Sequence, residues 1–98
     1  MQIKYKTRKL EKVCENAYEA EKKYGENMAA KIQQRIDEIS AADTVEEMMQ
    51  FRIGRCHHLE GQRKQQYAVD LVHPYRLVFE KIGNEVQIAN IMEIVDYH

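Results

Sequence analysis

Ninety-eight residues, 44% of them hydrophobic and 32% charged, have the length of one domain and the composition of a folded soluble protein rather than a disordered tail. A formal net charge of -1 speaks against a strongly basic nucleic-acid binder, and with no apolar run longer than three residues neither a membrane span nor a signal peptide is expected. The expected compartment is the cytoplasm, and Cys14 and Cys56, too few for a disulfide framework, are expected to be free thiols.

The charge is unevenly spread. Residues 52–81 carry six Lys/Arg against three Asp/Glu, whereas residues 82–98 carry three acidic residues and no Lys or Arg.

Residues 2–6 alternate, with Ile3 and Tyr5 on one face and Lys4 and Lys6 on the other, as a short half-buried strand requires. From Thr7, a suitable N-cap, the spacing of Leu10, Val13, Cys14, Ala17, Tyr18 and Tyr24 predicts one helix that stops at Gly25. Met28, Ile32, Ile36 and Ile39 predict a second helix over about 27–42, antiparallel to the first because the link is short, with Lys31, Gln34, Arg35 and Glu38 mostly on its other sides. Thr44 and Glu47 have capping-box spacing, so a short third helix through Val45, Met48 and Met49 is expected.

After Phe51 the helical period ends, and the stretch between Gly54 and Gly61 is too irregular to assign. Strand alternation returns in QYAVDL and YRLVFEK, with Val72 to Pro74 as the turn of a hairpin. Gly83-Asn84 marks another turn. The last strand changes phase near Asn90-Ile91, which suggests a bulge or burial on both faces. The expected fold is α+β: an N-terminal strand, a helical hairpin with a short third helix, then a three-stranded antiparallel C-terminal sheet with the helices on one face.

Chemistry-bearing residues concentrate in 56–81. Adjacent residues on an extended segment point to opposite sides, so of Cys56, His57 and His58 only Cys56 and His58 could share a face, and no metal-ligand spacing completes a site. Nothing local singles out Cys56 as a thiolate nucleophile. Acid–base work on a phosphodiester needs a proton acceptor, a proton donor and cations, and His57, His58, His73, His98, Arg63, Lys64 and Arg76 are the right types. If the last strand runs antiparallel to the strand holding Arg76, Asp96-Tyr97-His98 comes to lie near the start of that strand.

CHHLEGQR, then QYAVDLVHPYRLVFE, then the closing EIVDYH together resemble the HigB-type toxins of the RelE/ParE toxin–antitoxin superfamily. The motifs cover about residues 50–98; the strand and helices before them agree in order and size. The resemblance implies a RelE-like fold over residues 1–98 and a ribosome-dependent mRNA endonuclease that uses neither metal nor other cofactor. It implies His57, Arg76, Asp96, Tyr97 and His98 as catalytic residues, with Arg63 and Lys64 on the RNA. It also implies a helix-turn-helix antitoxin as partner, the ribosome and mRNA as targets, and contact with DNA only through the antitoxin. Glu60 departs from the pattern, since a Lys is common there, and removes a cation from the RNA side. The alternatives are a non-catalytic relative that acts by binding a protein, as gyrase poisons do, and a decayed toxin that only binds its antitoxin.

Overall fold

In the computed structural model, which describes residues 1–61 and 65–96, strand β1 (Gln2–Tyr5) leads into helix α1 (Arg8–Glu15), whose start is fixed by the Thr7 hydroxyl accepting from the Leu10 N–H at 3.1 Å. The expected first helix is broken into two. Asn16 leaves helical geometry, and its side-chain oxygen accepts from the backbone N–H groups of Tyr18 and Glu19, so it ends α1 and caps α2 (Ala17–Tyr24). A local side-chain acceptor offers the backbone an alternative to continuing the helix.

Gly25, at φ 90, closes α2 in a conformation few other residues tolerate, and α3 (Glu26–Ala41) turns back along it. One face of α3 is buried through Met28, Ala29, Ile32, Ile36 and Ile39. Thr44 caps α4 (Val45–Gln50) by accepting from the Glu47 N–H at 3.1 Å, as the capping-box spacing requires. A 3-10 turn at Ile53–Arg55 then leads into β2 (His57–His58), β3 (Gln66–Asp70), β4 (Tyr75–Ile82) and β5 (Ile88–Asp96). Among the described residues, no helix is long and apolar enough to cross a membrane.

The α+β class holds, and the expected strand count is corrected. The sheet has five strands in the order β1-β5-β4-β3-β2, with β1 parallel to β5 and the other neighbours antiparallel. The extra members are β1, which joins β5 from the far end of the chain, and β2, which is too short at two residues to show a period.

Strand alternation divides the sheet into two faces. Tyr67, Val69, Leu77, Phe79, Ala89 and Ile91 face the helices and form the main core with Ile32, Ile39 and Met48. Each large apolar side chain fully buried there contributes about 1.5–3 kcal/mol. Leu59, Ala68 and Val78, with Met92 and Val95 beside them, form a small cluster on the other face. The expected phase change in the last strand is a bulge at Met92: Val78 pairs with Glu93 and Phe79 with Ile91, which leaves Met92 unpaired.

Gln87, 4% exposed, ties the start of β5 to α4. Its Oε1 accepts from the Val45 N–H at 2.9 Å, and its Nε2 donates to Glu46 Oε1 and to the Asn84 carbonyl, both at 2.7 Å.

Candidate active site

Helix α4 ends in a loop with unusual backbone. Arg52, Gly54 and Arg55 all have positive φ, at 53, 58 and 55. For non-glycine residues the left-handed region costs about 1–2 kcal/mol each, so surrounding contacts must hold the loop in place. The Arg55 N–H donates to the Arg52 carbonyl at 3.1 Å, and the Cys56 N–H donates to the Ile53 carbonyl at 2.9 Å. From below, Arg35 of α3 crosses so close to Gly54 that a Cβ there would stand 2.8 Å from Arg35 Nε. That same Nε donates to the Asp70 backbone carbonyl at 2.6 Å, and its Nη1 pairs with Glu38 at 2.8 Å. Arg35, expected on a polar side of its helix, therefore braces both the loop and the end of β3.

The loop delivers its cations to the face of the sheet opposite the helices. His57 pairs with Ala68 and Arg76 with Asp70, so strand alternation places the side chains of His57, Asp70 and Arg76 on that face. A groove of about 500 Å³ is lined by Met49, Arg52, Arg55, Cys56, His57 and Arg76. Beside it a hollow of about 230 Å³ shares Arg55 and Arg76, adds Asp70, and reaches His73 and Tyr75. His73 lies in the β3–β4 turn, where the His73–Pro74 peptide is cis.

Asp70 links the two cations. Its Oδ2 lies 3.3 Å from Arg55 Nε and its Oδ1 lies 3.6 Å from Arg76 Nε. His57 Nδ1 stands 3.0 Å from the Arg55 carbonyl oxygen. A carbonyl can only accept, so Nδ1 carries the hydrogen, and in the neutral ring Nε2 keeps the lone pair. The arrangement offers a proton-transfer group and three guanidiniums along one groove, which suits a phosphodiester.

The neighbours of His57 take other parts. His58 pairs with Tyr67, with ring centroids 5.0 Å apart, on the opposite side of β2. The Cys56 thiol is buried, and that burial pushes its pKa up to about 12, which makes a thiolate nucleophile scarce at neutral pH. Glu60 is exposed and is not among the groove-lining residues.

Asp96 is the last residue of β5 and pairs with Tyr75, one position from the pair formed by Arg76 and Val95. Antiparallel pairing thus brings the end of β5 to the start of β4. Arg63, Lys64, Tyr97 and His98 lie outside the described residues.

Arg52, Arg55 and Asp70 went unselected in the sequence. For Asp70 there was a signal, since it stands opposite Arg76 in any three-residue hairpin turn closed by Val72 to Pro74. For Arg52 and Arg55 the signal was charge alone.

A larger hollow, about 710 Å³, lies between β1, α1 and α3 and is lined by Glu11, Glu15 and Asp37 among others. Its Tyr5 hydroxyl donates to Glu15 at 2.8 Å, and burial together with that bond pushes the phenol pKa well up. Three carboxylates make that hollow the wrong sign for RNA.

Comparison with known proteins agrees with the fold. A solved YoeB/ParE toxin from Agrobacterium tumefaciens superposes with a TM-score of 0.67 at 14% sequence identity, over 100% of both chains. At that identity the likeness is one of fold. None of the curated protein sequences compared matches the chain. The family model described as the RelE-like toxin of the type II toxin–antitoxin system HigB matches residues 4–98. The chain therefore belongs to the HigB-like family of RelE-like toxins of type II toxin–antitoxin systems.

Proposed function

We propose that this toxin is a ribosome-dependent mRNA endonuclease whose active site is the groove holding His57 and Arg76. The observation that carries the reading is the meeting of those two side chains in one groove, from strands at separate places in the chain, with Nδ1 of His57 tied to the Arg55 carbonyl. A base removes the proton of the ribose 2'-hydroxyl, and that oxygen attacks the adjacent phosphorus. The bond to the 5'-oxygen breaks, and an acid protonates the leaving oxygen. The products are a 2',3'-cyclic phosphate and a 5'-hydroxyl, with no net gain or loss of protons.

The proton transfers fall to His57, Asp96 and His98, and Arg76 stabilises the charge that develops on the phosphate. Tyr97 stacks on or orients a base, and Arg63 and Lys64 contact the RNA backbone. Membership of a type II family implies an antitoxin partner. In this reading it is a helix-turn-helix protein that links the toxin indirectly to DNA, and the site of action is the cytoplasm.

The test is cleavage of a defined mRNA in a translating extract, with both new ends mapped chemically. Wild-type protein should leave cyclic phosphate and 5'-hydroxyl ends, and Arg76→Ala or His57→Ala should lower the rate by about 100-fold or more while the melting temperature stays near that of wild type. Unchanged cleavage in both variants would remove the site assignment. A wild-type protein that leaves mRNA intact on translating ribosomes would refute the nuclease reading in favour of action by protein binding.

A further inference from the structure

We infer that Arg55 is a second phosphate-binding cation of this groove and that Asp70 is a positioning residue that holds Arg55 and Arg76 at a common spacing; the inference rests on the nuclease reading of the same site. The first support is backbone strain. Arg52 and Arg55 both occupy the left-handed region at positions where a glycine would be comfortable, and both side chains line the groove that contains His57. Strain of this kind persists where a loop is held for a purpose beyond local stability.

The ion pairs add a second support. The Arg55 side chain is 82% exposed, and an ion pair at that exposure stabilises a fold by about 0–1 kcal/mol at most. Stability therefore does not account for the pair with Arg55, which Asp70 makes through one carboxylate oxygen while the other meets Arg76. One carboxylate lying 3.3 and 3.6 Å from the two Nε groups draws the two guanidiniums toward a common spacing, as adjacent contacts on a phosphate chain require. The third support is the charge of the groove itself, whose lining includes Arg52, Arg55 and Arg76 and no carboxylate.

Charge alone and positioning predict opposite results for Asp70→Asn. The substitution removes a negative charge from an RNA-binding groove, so a purely electrostatic role predicts tighter binding and an equal or faster reaction. Positioning predicts binding that is no weaker but a lower kcat, because the two guanidiniums lose their shared anchor. The backbone carbonyl of Asp70 still accepts from Arg35 in the variant, which preserves that link to α3.

The experiment has two arms. Steady-state cleavage of a defined mRNA on programmed ribosomes separates kcat from KM, and fluorescence anisotropy measures binding of a single-stranded RNA 12-mer at several salt concentrations. Melting curves verify that each variant folds. Arg55→Ala should weaken RNA binding about tenfold, the loss of one charge-assisted hydrogen bond, and should reduce the salt slope by about 0.7 for one single-strand phosphate contact. Asp70→Asn should lower kcat by about tenfold without raising KM, and Asp70→Glu should recover part of that loss. Unchanged affinity and salt slope in Arg55→Ala would overturn the role of Arg55, and a kcat that rises or holds in Asp70→Asn would overturn the role of Asp70. Cleavage by wild type together with unaffected variants would sink this inference and leave the nuclease reading standing. RNA binding that depends on Arg55 without cleavage by wild type would support the phosphate site and refute the nuclease reading.

Discussion

Replacing Gln87 with leucine tests how α4, and with it the cationic loop, is held to the sheet. Leucine is close in size and adds no strain, but it cannot replace any of the three hydrogen bonds that Gln87 makes to Val45, Glu46 and Asn84. The bonds to the Val45 N–H and the Asn84 carbonyl each contribute about 1 kcal/mol, and the bond to the Glu46 carboxylate contributes about as much because Glu46 can rehydrate when released. The expected cost is about 3 kcal/mol, equivalent to a fall of about 15 °C in Tm for a domain of this size. Urea and thermal unfolding measure the total, and hydrogen exchange at the Val45 amide should speed up as the start of α4 loosens. A Tm within about 3 °C of wild type, with Val45 still protected, would refute the view that Gln87 is the tie.

The remaining predictions concern charge, turn, core and thiol. The Gln87 amide first, and Lys81 second, hold the Glu46 carboxyl down at about 2. A lowered folded pKa gives stability that is present above the ordinary value of about 4.5 and lost as pH falls toward 2. Glu46 is 54% exposed, so after solvent screening the acid loss should be about 1 kcal/mol in wild type and absent from Glu46→Gln, as read from unfolding curves over that range. Gly83→Ala should cost about 2 kcal/mol or more in urea unfolding, since φ is 89 and a Cβ would stand 2.3 Å from the Val86 carbonyl oxygen. Phe79→Ala, at a fully buried ring 5.9 Å from Tyr67, should cost about 3–5 kcal/mol by the same assay. With its thiol at about 12, native Cys56 should react with iodoacetamide at pH 8 about 100-fold more slowly than in the urea-unfolded chain; equal rates would show that the thiol is neither buried nor raised.

How far the sequence revealed the fold depends on how local each signal was. Thr7, Gly25 and Thr44 act on their own neighbours, and all three punctuate helices where expected. Asn16 was equally local but was hidden, because the apolar spacing from Leu10 to Tyr24 runs through it while its side chain caps a new helix. The hairpin of β3 and β4 was legible because alternation and a three-residue turn agree. Parallel pairing of β1 with β5 was not, since a four-residue strand carries no mark of a partner about 86 residues away. In the site, His57 and Arg76 do line one groove, and Asp96 ends β5 beside the start of β4. The left-handed loop escaped notice because arginine gives no warning of positive φ; only Gly54 did.

The bulge at Met92 gives the last strand two reading frames. Up to Ile91 the odd-numbered residues turn toward the helices, and from Glu93 onward the even-numbered ones do, so Ile94 stays against the main core while Val95 joins the cluster on the opposite face. Removing Met92 would merge the two frames: Glu93 would follow Ile91 directly, still opposite Val78, and Ile94 would stay opposite Leu77, so every remaining residue keeps its face. Met92 is therefore the spare residue of the strand, and a relative that lacks it keeps the same inner and outer sets with its numbering shifted by one.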